Sequence, residues 1–360
     1  MCRILFIAPF PDEQNSKEGM LQRIWAIDQL FSSEERLYLD ISFTKNFLYT
    51  KATIASKAKG YRLNYFLHFP IIFFLFWRWE VVYCHSVLNY LKIALLAGLT
   101  EKKVVLDMHG IVPEEKLVER RQLLSFFYSC AEKLAFRATS LAVHVSKQMK
   151  AHYIKKYPAY KGKHIIYAII PAHLRNPELQ KPILNSETRT NSNKVVIIYS
   201  GNTQIWQNIE LMLRVIKKNN QPQLRYLILT GEPAEMRSMI NKFDLTEHKI
   251  EVKSVAPEQL FGHYQKAHYG FILRDDIPIN RVANPTKMIE YLNYGIIPIV
   301  NSPNIGDFLE MNYEFVNYEH SFQDLPAVKS EKNMQIAKDV INMSNEHQFK
   351  LAVLSRNRVE

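Results

Sequence analysis

The segment Arg274–Val300, RDDIPINRVANPTKMIEYLNYGIIPIV, carries the strongest local signals in this sequence. Its pattern predicts a strand end, an irregular loop, a helix of about three turns and then a buried strand. Asn284 is suited to cap that helix, Pro285 to occupy its first position and Gly295 to end it. The order of strand, loop, helix and strand is typical of an α/β fold.

Lys287 is anomalous in this helix. A capping box would place Glu or Gln at that third position, where the helix dipole is positive, but the sequence has a lysine. A cation there indicates that an anion binds nearby. The free N–H groups of the first turn, with Arg281 before the helix and Lys287 inside it, form a candidate diphosphate site. The simpler alternative is an exposed lysine whose stem covers its own helix.

The length and composition suit a globular protein of two domains. The chain has 360 residues, of which 47% are hydrophobic and 22% charged. Two domains of about 170 residues would each be large enough for a core. The three cysteines, Cys2, Cys84 and Cys130, lack metal-type spacing and indicate a reducing compartment.

Strand-like and helix-like segments alternate along both halves of the chain. In the first half, strands are predicted at 3–8, 80–86, 102–110 and 140–146, with helices from Gly19, over 87–97 and over 115–137. In the second half, strands at 194–201, 225–231, 248–255 and 269–274 alternate with helices over 206–218, 234–242 and 258–266. Such regular alternation implies mostly parallel sheets with helices on both faces.

A change in composition separates the two halves. Residues 171–193, PAHLRNPELQKPILNSETRTNSN, are rich in Pro, Asn, Ser and Thr and show no apolar period, which predicts a linker. We therefore expect one domain over 1–170 and a second over 194–345. Residues 346–360 form a C-terminal tail, for which packing back on the first domain is one option.

The positive charge is concentrated in the first half. The net charge is +11; residues 1–180 carry 25 Lys and Arg against 15 Asp and Glu, and residues 181–360 carry 21 against 20. A basic half attracts nucleic acid, an anionic membrane face or an anionic acceptor. No nucleic-acid motif is present, so we expect the membrane or the acceptor and no nucleic acid.

One apolar segment bears on membrane binding. Residues 63–77, LNYFLHFPIIFFLFW, are too few for a bilayer span, which needs about 20 mostly apolar residues. The flanking Arg62 and Arg78 suit a helix that lies in the headgroup layer. The alternative is an aromatic-rich helix packed on a sheet. No secretory signal is expected from the first residues.

Several polar residues follow predicted strands, where ligands of such sheets bind. In the first half, Gly19, His85 and His109 have such positions. His109 could hydrogen-bond a substrate hydroxyl, oriented by Asp107 on the same face of its strand; the alternative is a histidine that only caps the strand end.

In the second half, Ser200, Gly201 and Asn202 follow a strand where bare backbone can approach phosphates. Glu290 lies three residues after Lys287 and is placed to accept hydrogen bonds from a ribose diol, unless the two form a simple surface pair. The adjacent Asp275 and Asp276 are weak evidence for a metal, and we expect none. No Gly-x-Ser-x-Gly elbow supports a serine hydrolase.

Residues 284–295, NPTKMIEYLNYG, with two α/β domains and a histidine at a strand end, resemble the retaining glycosyltransferases of the GT-B fold, specifically glycosyltransferase family four. The resemblance covers nearly the whole chain and is strongest from YSGNTQIWQNIELM to NSPNIGD. It implies an α/β fold of two Rossmann-like domains whose parallel sheets face across a cleft. The first domain would bind the acceptor and the second the nucleotide-sugar donor.

The resemblance also implies an activity. A sugar would move from a nucleotide diphosphate-sugar to a saccharide acceptor, expected to be linked to a polyprenyl diphosphate, with retention at the anomeric carbon and without a metal or other cofactor. This would serve bacterial surface polysaccharide synthesis, in the cytoplasm and at the inner face of the cell membrane.

Site residues are carried over by position. The catalytic residues would be His109, Lys287 and Glu290. Acceptor contacts would come from Gly19, Arg23, His85 and His109. Donor contacts would come from Ser200, Gly201, Asn202, Gln204, Trp206, Gly231, Arg274, Asn280, Arg281, Asn284, Pro285, Thr286, Lys287 and Glu290.

The chain departs from the family in two places. Eight positions before Glu290, where the family has a second glutamate, stands Val282. The Arg/Lys pair that normally follows the strand VVIIYSG is also absent, so we infer that Arg274, Arg281 and Lys287 supply the positive charge. Two alternatives stay open, namely a nucleotide-sugar epimerase of the same fold and a non-catalytic scaffold, which the missing acid at Val282 favours.

Overall fold

The structure is a computed structural model that describes residues 3–10, 19–100, 102–168, 170–171, 174, 194–245, 249–256 and 259–355. It divides the chain into two compact units. The first comprises Met1–Ile169 and Ser344–Glu360, and the second Ile170–Met343. The predicted linker, 171–193, lies almost entirely outside the described residues.

The first unit is built on an eight-stranded sheet. Its strands are β1 (Arg3–Ile7), β2 (Glu35–Ser42), β3 (Thr50–Ala55), β4 (Ala58–Asn64), β5 (Val81–His85), β6 (Lys103–Asp107), β7 (Leu141–His144) and β8 (Lys163–Ile166). The order is β3-β4-β2-β1-β5-β6-β7-β8, and every pair is parallel except β3–β4. Strands β2 to β4 lie on one side of β1, and strands β5 to β8 lie on the other. The strand order therefore changes direction between β1 and β5, and a ligand crevice is expected at this point.

Helices connect these strands. They are α1 (Gly19–Leu30), α2 (Phe69–Arg78), α3 (Ser86–Tyr90), α4 (Ala94–Leu99), α5 (Val112–Val118), α6 (Gln122–Ala138) and α7 (Lys147–Lys156). The single helix predicted over 115–137 is wrong, because Arg120 has φ 59° and separates α5 from α6. The helix predicted over 87–97 is likewise divided into α3, a 3-10 turn and α4.

The second unit is built on a six-stranded, wholly parallel sheet. Its strands are β9 (Val195–Ser200), β10 (Leu224–Leu229), β11 (Ile250–Lys253), β12 (Tyr269–Ile272), β13 (Ile297–Val300) and β14 (Val316–Asn317), in the order β11-β10-β9-β12-β13-β14. Its helices are α8 (Ile209–Lys218), α9 (Pro233–Lys242), α10 (Leu260–Lys266), α11 (Pro278–Val282), α12 (Thr286–Asn293) and α13 (Glu331–Met343). In this sheet the strand order changes direction between β9 and β12.

The helix in the segment Arg274–Val300 differs from the prediction at its start. Helix α12 begins at Thr286 with Pro285 as its N-cap and no side-chain cap, so the assignment of Asn284 as the cap is wrong by one residue. The expected irregular loop contains the short helix α11. The predicted end is confirmed: Gly295 has φ 65°, and its N–H donates to Leu292 O at 2.9 Å. A glycine is needed there because the left-handed conformation is costly for other residues.

The C-terminal segment belongs to the first unit. Helix α14 (Glu346–Leu354) buries Phe349, whose ring stacks on Tyr167 with centroids 4.1 Å apart. Phe349 and Val353 join the core formed by β1 and α1. In the described ranges, no helix has the length and apolar content needed to cross a membrane.

Gly270 in β12 provides a test of packing in the second unit. A Cβ at this position would lie 2.3 Å from Cε2 of Tyr291, so Gly270→Ala should overpack the core. We expect the free energy of unfolding to fall by about 1–3 kcal/mol, measured by urea denaturation. Gly262→Ala in α10 is the control, because a Cβ there meets nothing within 4 Å and alanine favours a helix. Equal destabilisation by both variants would contradict this packing.

Candidate functional site

The strand order of the second unit changes direction between β9 and β12, and this brings together the end of β9 and the residues after β12. Ser200 ends β9 and is 7% exposed. Gly201 follows with φ 153°, and a Cβ there would lie 2.8 Å from Lys287 Nζ and 3.1 Å from Tyr199 Oη. Glycine therefore allows the lysine of α12 to reach the end of the central strand.

Lys287 contacts an aromatic ring and an amide, and both Arg274 and Glu290 are near enough to affect its pKa. Its Nζ lies 4.1 Å from the centroid of the Tyr199 ring and donates to Gln207 Oε1 at 3.1 Å. Burial, and then the nearby Arg274, lower the pKa of Lys287 to about 7. The alternative of an exposed surface lysine is thus wrong, because this side chain is half-buried and points to the strand end.

Arg274 is the second cation of this site. It lies just after β12, is half-buried and donates from Nη1 to Asn280 Oδ1 at 3.3 Å. Burial lowers the pKa of Arg274 to about 10. Among the residues that the structure describes, no carboxylate lies within 4.0 Å of the charged nitrogens of Arg274 or Lys287. Two cations held in a half-buried site without an ion pair in the described part of the chain favour a bound anion, although Glu290 offsets part of the charge of Lys287.

Arg281 has a different environment. Its Nε forms an ion pair with Asp276 Oδ1 at 2.6 Å, and both side chains are exposed. The expectation that Arg281 joins Arg274 and Lys287 at a diphosphate stays a prediction. In this structure its charge is already matched by Asp276.

Glu290 is held by a chain of hydroxyl groups. Tyr264 Oη, from α10, donates to Glu290 Oε2 at 3.2 Å and lies 2.7 Å from Ser200 Oγ. Burial raises the pKa of Glu290 to about 7, against the opposing effects of the Tyr264 hydrogen bond and Lys287. The N–H of Ser200 donates to Tyr291 Oη at 3.0 Å. Tyr264 and Tyr291 were not predicted, since nothing in their local sequence distinguishes them from core aromatics.

The remaining residues around β9 vary in exposure. Asn202 and Gln204 are exposed, and Trp206 is 45% exposed. Asn208 has φ 51° and separates a 3-10 turn from α8, so the single helix predicted over 206–218 is wrong. Gly231, after β10, is exposed, and a Cβ there would meet nothing within 4 Å.

The residues before and at the start of α12 are partly buried. Asn280 is 2% exposed and donates to Asp275 O at 2.9 Å, which makes it a support for Arg274 rather than a surface contact. Asn284 has a buried Nδ2 with no hydrogen-bond partner in the described part of the chain. Pro285 and Thr286 form the helix start, where first-turn N–H groups have no intrahelical acceptor.

A second cluster lies at the carboxyl ends of β5 and β6 in the first unit. Arg23 Nη2 donates to Asp107 Oδ1 at 2.6 Å and Arg23 Nη1 donates to Tyr167 O at 3.1 Å. Tyr83 Oη donates to Asp107 Oδ2 at 2.9 Å. His85 Nδ1 and His109 Nε2 are 3.1 Å apart. Burial opposes a charge on Asp107, but Arg23 and the histidines hold the pKa of this carboxyl well below its usual range.

This cluster contains two of the residues predicted as acceptor contacts. Arg23 is 1% exposed and its guanidinium is committed to Asp107, while His85 is 0% exposed. Both side chains are buried, and their contact with an acceptor stays a prediction. His109 is 13% exposed and Gly19 is the first residue of α1.

The cluster also meets the distance criterion for a metal site. One ligand atom each from His85, Asp107 and His109 lie within 4.8 Å of one another. However, Asp107 Oδ2 already accepts from Arg23 Nε at 2.8 Å and from Tyr83 Oη at 2.9 Å. A carboxylate so occupied and neutralised is a poor ligand for a cation, and the hydrogen bonds account for the geometry.

The adjacent aspartates of the second unit have other partners. Asp275 Oδ1 accepts from Asn208 Nδ2 at 2.8 Å and from Asn301 Nδ2 at 2.9 Å. Asp276 is paired with Arg281. Within the described ranges they belong to no group of metal-ligating side chains.

Lys287 should take up a proton when the site binds an anion. With a pKa of about 7, its amine is mostly neutral at pH 8, and an adjacent anion raises the pKa by favouring the charged form. Calorimetry with inorganic pyrophosphate at pH 8, in two buffers of different ionisation enthalpy, should therefore show that Lys287 contributes uptake of about one proton, in addition to any proton that pyrophosphate itself exchanges. The contribution should vanish in Lys287→Arg, because arginine is already charged.

The matched control is Lys338→Arg, which changes an exposed lysine on α13 of the same unit. Its proton uptake should equal that of the native protein. Equal uptake by the native protein and Lys287→Arg would show that Lys287 is not the titrating group.

Known structures share this architecture. Sucrose-phosphate synthase from Thermosynechococcus elongatus has a TM-score of 0.66 and 12% identity, over 98% of this chain and 99% of that chain. Trehalose-6-phosphate synthase OtsA has a TM-score of 0.64 and 8% identity, over 97% of each chain. Anabaena HepE in complex with UDP-glucose has a TM-score of 0.59 and 13% identity, over 99% of this chain and 93% of that chain.

These similarities are structural. No protein-family model and no curated protein matches the chain. At such low identities the likeness establishes the fold, and the fold class predicted from the sequence is confirmed. The chain has the α/β fold of the GT-B glycosyltransferases, with two Rossmann-like domains.

Proposed function

We propose that this protein is a glycosyltransferase that moves a sugar from a nucleotide diphosphate-sugar to a saccharide acceptor. The observation that carries the proposal is the pair of half-buried cations, Arg274 and Lys287, beside Gly201 at the direction reversal of the second sheet. A diphosphate would pair with these side chains, which form no ion pair in the described part of the chain and whose charge Glu290 offsets only in part. The structural neighbours support this ligand class, since HepE is seen with UDP-glucose.

Each donor group has a proposed partner. Arg274, Lys287 and the free N–H groups at the start of α12 would hold the diphosphate. Glu290 would accept hydrogen bonds from the ribose hydroxyls, with Tyr264 fixing its carboxylate. Glu290 must then be ionised, which requires a pH above its pKa of about 7 or a donor that lowers this pKa.

The proposed chemistry is that of the retaining transferases, family four in particular. The bond from the anomeric carbon to the β-phosphate oxygen breaks, and the acceptor oxygen bonds to the same carbon on the same face. The acceptor proton passes to the departing phosphate. Fixed cations and helix N–H groups would stabilise the charge that develops on the nucleoside diphosphate, in place of a metal. His109 would hydrogen-bond a hydroxyl of the transferred sugar.

We further propose that the acceptor is a polyprenyl-diphosphate-linked saccharide at the inner face of a bacterial cell membrane, in surface polysaccharide synthesis. Helix α2 buries Ile72 and Phe76 but exposes Phe73 by 46%, Phe74 by 60% and Trp77 by 62%. One face of α2 packs inward, as expected for an aromatic-rich helix packed on a sheet. The other face is apolar and exposed, as expected for a helix in the headgroup layer, so each alternative applies in part.

Helix α6 exposes a second group of large apolar side chains. Leu123 is 79%, Phe126 65% and Phe127 62% exposed, and Arg120 and Arg121 precede the helix. Exposed apolar groups in such numbers mark interaction surfaces. With the basic excess of the first half, they support an anionic membrane surface as the partner.

Turnover is the direct test. The protein should release nucleoside diphosphate from one of a panel of UDP-, GDP- and ADP-sugars when a lipid-linked saccharide is supplied. Lys287→Met and Glu290→Gln each remove a charged hydrogen-bonding group, so kcat/KM should fall about 10- to 150-fold, equivalent to about 1.5–3 kcal/mol. Lys338→Met should stay within about twofold of native.

The outcome separates the alternatives. An altered nucleotide-sugar formed without any acceptor would favour an epimerase. Donor binding that needs Lys287, without turnover in any combination, would favour a non-catalytic scaffold.

Membrane binding can be tested by sedimentation with liposomes. We expect binding to vesicles that contain anionic phospholipid, weaker binding at about 1 M salt because charges are then screened, and little binding to neutral vesicles. The triple variant Phe73→Ser, Phe74→Ser, Trp77→Ser should lower the partition coefficient at least about tenfold through the lost apolar area. Met343→Ser, at a residue 65% exposed in the second unit, should not. Binding that ignores lipid charge, salt and the triple variant would contradict the membrane assignment.

A further inference from the structure

A groove on the second unit has no role in the proposed function. It has a volume of about 570 Å³, a size typical of small-molecule sites. Strands β9, β10 and β11 and helix α10 contribute to its walls. Its charged and titratable lining residues are Arg225, Lys249, Glu251, Lys253, His263 and Lys266. No described residue that lines it is among those proposed to contact a nucleotide-sugar.

The groove lies on the face of the second sheet that is opposite to its main core. Tyr226 in β10 and Ile250 in β11 belong to that core. Because side chains alternate along a strand, Arg225 and Glu251 point to the other face. Helix α10 also contributes lining residues, and β11 is the edge strand of the sheet. The groove is therefore formed between α10 and the edge of the sheet.

Cations outnumber anions in this groove. Its described lining contains four Lys and Arg side chains and one carboxylate, Glu251. That carboxylate already forms an ion pair with Lys253 at 2.5 Å. Lys249 Nζ donates to a neutral acceptor, the backbone O of Asn220, at 2.8 Å. With four positive charges, one negative charge and a neutral His263, the described lining has a net formal charge of +3.

The imidazole of His263 senses this positive charge. Burial lowers the pKa of His263, and Lys253 and Lys266 lower it further, against the opposing effect of Glu251. Nearby cations act in this way because they disfavour a second positive charge on the ring. The groove thus has a positive potential where α10 meets the sheet, and an anion bound there would relieve it.

The groove is separate from the cations Arg274 and Lys287. Val196, which lines the groove, is the second residue of β9, whereas Ser200 is the last. Four residues of an extended strand span about 13 Å. The candidate diphosphate site lies at the carboxyl end of β9, so an anion in the groove would be a second ligand of this unit rather than the donor diphosphate.

We propose that this groove is a second anion-binding site, which takes a small ligand with two or more phosphate groups. Guanidinium and ammonium groups bind phosphate oxygens through charge-assisted hydrogen bonds. One phosphate carries at most about two negative charges at neutral pH and would not match a net charge of +3. Arg225 and Lys266 are exposed, so a ligand can reach them from solvent. The size of the groove favours a small molecule over an acidic protein segment. This inference does not rest on the proposed function.

Calorimetry with inorganic tripolyphosphate tests this site in the full-length protein. The Lys287→Met background is used because it weakens the other candidate anion site, so the binding that remains reports on the groove. At low salt and pH 7.5 we expect a single binding event. Adding Arg225→Gln and Lys266→Gln should weaken that binding at least about tenfold, because each removes a charged hydrogen-bond donor. No binding in the Lys287→Met background would overturn the proposal.

The matched control is Lys332→Gln with Lys338→Gln in the same background. These lysines are exposed on α13 of the same unit, and the pair removes the same net charge. Tripolyphosphate binding should stay within about twofold of the background. Equal weakening by both pairs would indicate general charge attraction and would overturn a site in the groove.

His263 gives a local readout of the same binding. Bound phosphate should raise the pKa of His263, because negative charge favours the protonated ring. In protein labelled with ¹⁵N-histidine, the His263 signals, identified by His263→Asn, should therefore titrate at higher pH when tripolyphosphate is present. An unchanged titration would contradict the proposal. A poly-glutamate peptide that binds the groove where tripolyphosphate does not would also overturn it, in favour of an acidic protein partner. Absence of turnover with every sugar donor would count against the proposed function only.

Discussion

The cost of removing charge from water governs both candidate sites. In the second unit, Arg274 and Lys287 are half-buried without an ion pair among the described residues, and Glu290 only partly opposes the lowered pKa of Lys287. In the first unit, Arg23 and Asp107 are almost wholly buried, and each satisfies the other. A matched buried pair holds a structure together, whereas unmatched cations favour an external anion. The Arg23–Asp107 pair thus has the features of a structural contact, whereas the Arg274 and Lys287 cations support the proposed anion site.

Hydroxyl groups link the binding cations to the sheet. Tyr264 joins Glu290 to Ser200, and Tyr291 accepts from the backbone of Ser200, so α10, α12 and the end of β9 form one hydrogen-bonded unit. Gly270 and Gly201 make room for Tyr291 and Lys287 respectively. A site on such connected elements is preorganised, as the proposed stabilisation of a diphosphate charge would require.

The departure from the sequence pattern of glycosyltransferase family four at Val282 has a structural counterpart. Val282 is 6% exposed at the end of α11, so the position where the family has an acidic residue is filled by an apolar side chain. A carboxylate there would have to be buried. The structural likeness to sucrose-phosphate synthase, at 12% identity, establishes the fold. It does not establish which side chains would contact a ligand near Val282. Under the proposed function, donor selection would rest on contacts other than those of the family pattern.

The sequence by itself determined what depends on local order. Alternating apolar runs indicated two α/β domains, and Lys287 stood out because it contradicts the preference of a helix start. Breaks at Arg120 and Asn208 escaped prediction because non-glycine residues with positive φ leave no compositional signal. Only the tertiary structure decided the partners: Arg23 with Asp107, 84 positions apart, and Tyr264 with Glu290, 26 apart. Strand order sets these pairings, and strand order is a property of the whole sheet rather than of any one segment.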